Sequence, residues 1–247
     1  AAAPHQRPSP FLGALALGGL LVLGALLSSC AGSASLALRP DGSMSLGVDA
    51  TIPGPLAAKL RKLASLPDTA PLFDVEAARR AASGRSRLRS FTIGAPGPDA
   101  YTARIEASSL AELLAEPELA QSGALGLASG PGWKELSLRL ARGGVEPLLG
   151  LAPGLDRDLL EALSPPALDP EPISRAEYRT MLKGIIGEKA LASLDGASCR
   201  IVIEVPGKIL SSAGGRLEGR TLTATLPLLD LMVLENPVDL RIRWASN

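Results

Sequence analysis

The residue types best suited to chemistry stand at the end of the charge-free apolar run 11–27, where Leu27-Ser28-Ser29-Cys30 sets a thiol behind two small residues. A lipoprotein signal peptidase needs that order: an apolar segment, small residues before the cut, and a cysteine after it whose thiol is acylated before the peptide is removed. Leu27, Ser28, Ser29 and Cys30 therefore read as a lipobox, with Cys30 as the lipidation site. Residues 1–29 are then a lipoprotein signal peptide and the mature chain starts at Cys30. A competing reading takes the same run as an uncleaved transmembrane helix, for which about 17 residues is the short limit. The positive charge upstream is thin, only Arg7 and His5, and the cysteine at the small-residue boundary favours lipidation. Under both readings the rest of the chain sits at a membrane surface. Several acyl chains would hold it firmly, since each buried methylene contributes about 0.8 kcal/mol.

Little catalytic chemistry remains beyond that site. The one histidine, His5, falls inside the signal, so the mature part lacks the commonest general base and metal ligand. No Gly-x-Ser-x-Gly nucleophile elbow occurs. Asp156 and Asp158 form a carboxylate pair, but they stand at a helix start, where negative charge suits the helix dipole. No catalytic residue, metal site or cofactor is expected, and the chain reads as non-enzymatic. Of 25 basic residues only Arg7 precedes Cys30, leaving 24 against 25 acidic ones and a net charge of −1. Such a surface has no electrostatic reason to seek nucleic acid. Aromatic residues make up 3% of the chain, with Trp133 and Trp244 the only tryptophans, too few for a stacking platform. With Cys30 lipidated, Cys199 is the one thiol left and no intramolecular disulfide forms. Cys199, Ile201, Ile203 and Val205 share one strand face, which directs that thiol to the core.

The elements that must carry these residues follow from periodicity. Residues 30–35 are small and read as a lipidated tether. Leu36 and Leu38, then Met44, Leu46 and Val48, alternate around Arg39-Pro40-Asp41-Gly42 and predict a hairpin. Leu56, Leu60 and Leu63 with Lys59, Arg61 and Lys62 predict a short amphipathic helix, its basic side facing solvent or lipid headgroups. Asp74 caps a helix through Ser83, and strands are predicted over 87–93 and 101–107 around the loop Gly94 to Pro98. Ser109 to Glu112 is a capping box. Leu125 and Leu127, then Trp133 to Ala141, alternate as half-buried antiparallel strands. Between about 145 and 194 the period turns helical. Leu155, Leu159, Leu160 and Leu163 share a face, and the capping box Ser174 to Glu177 opens a helix with the stripe Tyr178, Met181, Leu182, Ile185 and Ile186. Strands return over 199–205, 216–226 and 238–244. Leu226 to Leu234 is too short to span a bilayer and reads as a core connection or the lip of an apolar site.

Two groups stand out as binding candidates. The stripe Tyr178, Met181, Leu182, Ile185 and Ile186 either packs on the sheet or lids an apolar cavity. Arg85, Arg87 and Arg89, near Arg79 and Arg80, form either an anion patch for headgroups and envelope polymers or the wet face of a strand.

Val205-Pro206-Gly207-Lys208-Ile209, followed by Gly214-Gly215, Gly219 and the strand from Thr221, resembles the proline-glycine-lysine and glycine-turn segment of LppM-like envelope lipoproteins. With the lipobox, the Asp41-Gly42-Ser43 hairpin, Glu177-Tyr178, Gly187-Glu188-Lys189-Ala190 and Pro227 to Asp230, the order of elements also resembles spirochaete lipoproteins of unknown function. The resemblance implies an α+β envelope domain associated with lipid or glycolipid binding and transfers no catalytic residue. The expectation is therefore one α+β domain over 36–247, a curved antiparallel sheet with helices on one face. It would be tethered by acyl chains to a membrane of the cell envelope, on the periplasmic face or at the outer membrane. Its expected function is to bind a lipid or other apolar ligand, or alternatively to bind another envelope protein in an assembly role.

Overall fold

The computed structural model describes residues 31–84, 87–115, 120, 122–144, 163, 165–168 and 173–246. The lipobox Leu27 to Cys30, Arg85, the leucines 155, 159 and 160, and the Asp156 and Asp158 pair lie outside them.

The hairpin predicted at Asp41-Gly42 joins β1 (Ala31–Leu38) to β2 (Met44–Thr51). Its inward residues, among them Ala34, Leu36, Met44, Leu46 and Val48, are closed from solvent. The expected tether 31–35 is corrected here, because those residues are the first half of β1. Ala31 to Ala37 pair in parallel with β7 (Ser198–Glu204), while Ser33 to Leu38 pair antiparallel with β2. Gly32 and Ala34 carry little hydrophobic signal. Gly32 is nevertheless paired with β7, and Ala34 has ladder partners on both sides, which is what holds a central strand.

β3 (Leu88–Gly97) and β4 (Ala100–Ala107) extend this sheet beyond β2, and β9 (Arg216–Glu218) and β10 (Thr221–Pro227) extend it beyond β7. The order is β3-β4-β2-β1-β7-β10-β9. A second sheet runs β5 (Leu125–Gly130), β6 (Trp133–Leu140), β11 (Val238–Ala245) and β8 (Ile209–Ala213). The α+β class stands, and the single antiparallel sheet is corrected to two sheets, in which β1 with β7 is the one parallel pair among the described residues. Two local expectations also change. The Gly-Pro loop at 94–98 is mostly strand, with β3 reaching Gly97 through an irregular register between Gly94 and Gly97. The single strand expected over 216–226 is β9 and β10, joined at Gly219, while β8 before them had no alternation to reveal it because its residues Leu210 to Ala213 are all exposed.

Helices α1 (Gly54–Leu63), α4 (Arg175–Ile186), α5 (Glu188–Asp195) and α6 (Leu228–Val233) pack against one another. Helix α2 (Val75–Ser83) lies by β3, and α3 (Leu110–Leu114) by β5. Asp74 accepts the Ala77 amide at 2.8 Å, and Ser174 with Glu177 forms the full reciprocal capping box. Gly187, at φ 79°, divides α4 from α5. One face of the larger sheet is open and polar, with Arg104 bridging Asp49 at 2.8 Å. The other is buried in one core cluster that takes residues from both sheets and the helices. Leu228, Leu229, Leu231, Met232 and Val233 are all buried in α6, so the apolar segment 226–234 is a core connection.

Candidate functional site

A cleft of about 650 Å³ opens where the β1–β2 turn, the start of α3, the β7–β8 turn and the end of β11 converge. Its position is set by backbone constraints. In the β1–β2 turn Gly42 takes φ +84° and its amide donates to the Arg39 carbonyl at 3.0 Å. The Leu110 amide donates to the Gly42 carbonyl at 3.2 Å, fastening α3 to the turn. Across the cleft, Pro206-Gly207-Lys208 lies directly on β11. A Cβ on Gly207 would meet the Ala245 carbonyl oxygen at 2.1 Å, so only glycine permits that approach. The Ala245 amide donates to the Lys208 carbonyl at 2.8 Å and locks the two segments together.

The walls divide by chemistry. Leu38, Leu110 and Trp244, each at most 8% exposed, supply apolar surface with the half-buried Leu127. Arg39, Asp41, Lys134 and Lys208 supply charge. Arg39 is paired with Glu106 at 3.2 Å. Asp41 accepts the Ser43 hydroxyl at 2.6 Å and the Ser43 amide at 2.9 Å. Those two donors, with the charges of Arg89 and Arg39 added, hold its carboxyl below the usual aspartate range. It is consequently ionised at neutral pH and a weak base. Lys134 and Lys208 have no carboxylate partner among the described residues. The arrangement is a partly apolar cleft with two uncommitted cations, and its volume lies within the roughly 300–1,000 Å³ of small-molecule sites. Among the described residues no cluster of histidine, cysteine or carboxylate side chains is placed to hold a metal ion.

Comparison with known proteins adds a structural neighbour and no family. No protein-family profile matches the chain, and no curated protein matches it. Among solved structures the chain is similar to the NMR structure of the Mycobacterium tuberculosis LppM protein folded domain. Identity is 13%, the TM-score is 0.43, and the match covers 89% of this chain and 91% of that one. A likeness at that level assigns no activity to this chain. Among the described residues no helix is long and apolar enough to cross a membrane.

The binding candidates named from the sequence fall in different places. Tyr178, Leu182 and Ile186 are at most 4% exposed and belong to the core, with the Tyr178 hydroxyl donating to the Leu163 carbonyl at 2.9 Å. Met181 is 37% exposed and Ile185 half-buried, so the stripe is a packing seam with an open edge and contributes nothing to the cleft. Arg87 donates to the Glu112 carbonyl in the middle of α3, and Arg89 lies near enough to Asp41 to act on its carboxyl, but neither arginine lines the cleft. Arg61, read as part of a basic helix face, is 4% exposed and donates to the Ala70 carbonyl at 2.7 Å and to Asp99. It is a core tie, which corrects its place on that face. Cys199 is fully buried as expected, and burial pushes its thiol up to about 12. Sequence reading missed Lys134, Lys208 and Trp244 as neighbours. The Pro206-Gly207-Lys208 turn was the one signal that a close backbone approach occurs there.

Proposed function

We propose that the chain is a non-enzymatic lipoprotein of the cell envelope, acylated at Cys30, whose cleft binds an amphiphile with an anionic head and an apolar tail. The observation that carries this reading is the pairing of Lys134 and Lys208, both without ion partners among the described residues, with the apolar walls Leu38, Leu110, Leu127 and Trp244. A phosphate or carboxylate head satisfies the cations, and a short length of acyl chain covers the walls. Among the described residues Asp41 is the only carboxylate lining the cleft, and it is tied to Ser43 and lies by Arg39 and Arg89, so it does not cancel the two lysines.

Native mass spectrometry of the soluble fragment from Ala31 with short-chain phosphatidylglycerol and phosphatidylcholine tests the site. The expected result is retention of the anionic lipid over the zwitterionic one, and at least tenfold weaker binding in the Lys134→Glu, Lys208→Glu double variant. Equal binding of both lipids, or an unaffected variant, overturns the reading. An assembly role has one observation in its favour, the exposure of Leu210 at 53% and Leu217 at 42% on the β8 and β9 strands. A fragment that takes up no lipid at all moves the function to that surface.

A further inference from the structure

The point of attachment and the cleft lie at opposite ends of one strand. β1 is eight residues long, starts at Ala31 and ends at Leu38, which lines the cleft. At about 3.3 Å per residue it spans roughly 26 Å. β7 runs parallel to it, with Ser198 beside Ala31 and Glu204 beside Ala37, so the Pro206 to Lys208 turn emerges at the same far end. The near end is made by the start of β1, the start of β7 at Ser198 and the end of β2 at Thr51, two residues beyond the Asp49 that pairs with Ser33.

We infer that acylation at Cys30 holds the domain with its cleft facing away from the anchoring membrane, so that the cleft takes its ligand from the aqueous side and not from the leaflet that carries the anchor. The inference rests on the proposed lipidation of Cys30. Its new content comes from the absence of a tether: Cys30 is one peptide step, about 3.8 Å, from a residue already paired in the central sheet. A flexible linker would let the domain turn over, whereas a strand beginning at the lipid does not. The basic rim of the cleft favours the opposite orientation by attraction to anionic lipid. That pull decays over about 8–10 Å at physiological salt, well short of the strand's length.

The test uses the full acylated chain in phosphatidylcholine vesicles with 20% phosphatidylglycerol and an acceptor dye at the lipid surface. A donor dye is placed on Thr51→Cys or on Lys208→Cys, both exposed positions, while buried Cys199 stays unlabelled. Energy transfer should place the Lys208 donor about 25 Å farther from the lipid surface than the Thr51 donor, as the strand length requires. Inserting six Gly and Ser residues between Cys30 and Ala31 should at least halve that difference. Equal distances, or a Lys208 donor nearer the membrane, overturn the orientation and leave cleft binding by the soluble fragment untouched. A difference that survives the insertion also overturns it, since surface contacts would then set the orientation. Failure of the chain to float with vesicles overturns the anchor and the orientation together, again without bearing on the lysine-dependent binding of the fragment.

Discussion

Two buried tyrosines show how the same side chain takes different roles. The Tyr178 hydroxyl donates to the Leu163 carbonyl, while the Tyr101 hydroxyl is buried without a partner among the described residues. Burial raises both hydroxyl pKa values, that of Tyr101 to about 12, so both are neutral across the physiological range. Removing a paired hydroxyl loses a bond worth about 1 kcal/mol and orphans its acceptor, whereas removing an unpaired one relieves a desolvation penalty. Tyr178→Phe should therefore lower the unfolding free energy by about 1–2 kcal/mol, and Tyr101→Phe should leave it unchanged or raise it, as read from urea denaturation. The helical spacing of Tyr178, Leu182 and Ile186 was legible without coordinates. That the stripe closes into the core, with Leu163 across from it, was not, because periodicity marks a buried face without saying what lies opposite.

Glycines set the geometry where strands turn and where backbones approach closely. Gly207 lies where β7 turns into β8 against β11, and Gly214 lies where the chain passes from the smaller sheet to the larger one at φ +82°. An added methyl at Gly207 would drive into backbone, which cannot swing aside as a side chain can. Gly207→Ala should cost about 1–3 kcal/mol and weaken lipid retention, because Pro206 and Lys208 move with the turn. Gly184, exposed within α4 with nothing within 4 Å of its added Cβ, is the opposite case. Gly184→Ala should raise stability by about 0.5–1 kcal/mol through helix propensity alone. Measured in the same urea titration, the two substitutions should move the midpoint in opposite directions. The hairpins and the Ser174 capping box were readable because turn and cap chemistry is local. β8 was hidden because exposure of Leu210 to Ala213 removes the alternation that marks a half-buried strand.

The two sheets share one core, so the molecule should unfold as one unit. Both tryptophans belong to the smaller sheet, Trp133 opening β6 and Trp244 one residue before the end of β11, and their fluorescence reports on that sheet. Far-ultraviolet circular dichroism reports on every helix and strand. The two signals should give coincident transitions. Leu138→Ala in the smaller sheet and Ile201→Ala in the larger, both buried, should each shift that common transition by about 2–5 kcal/mol. Separate transitions would mean that the smaller sheet melts by itself.

From its residues alone the chain declared an α+β domain, most of its strands, the caps of its helices and the inward face of Cys199. Each of these depends on spacing within a short segment, where a side chain's direction follows from its position in a strand or helix. The division into two sheets, the burial of Arg61, the parallel pairing of β1 with β7 and the meeting of Lys134, Lys208 and Trp244 were decided only by the tertiary structure. These depend on which distant segments become neighbours. Ala31 to Ser35 make the contrast plain: five small residues with almost no hydrophobic signal lie in the central strand because β7 pairs with all five and β2 with the last three, and no pattern within those five could show it.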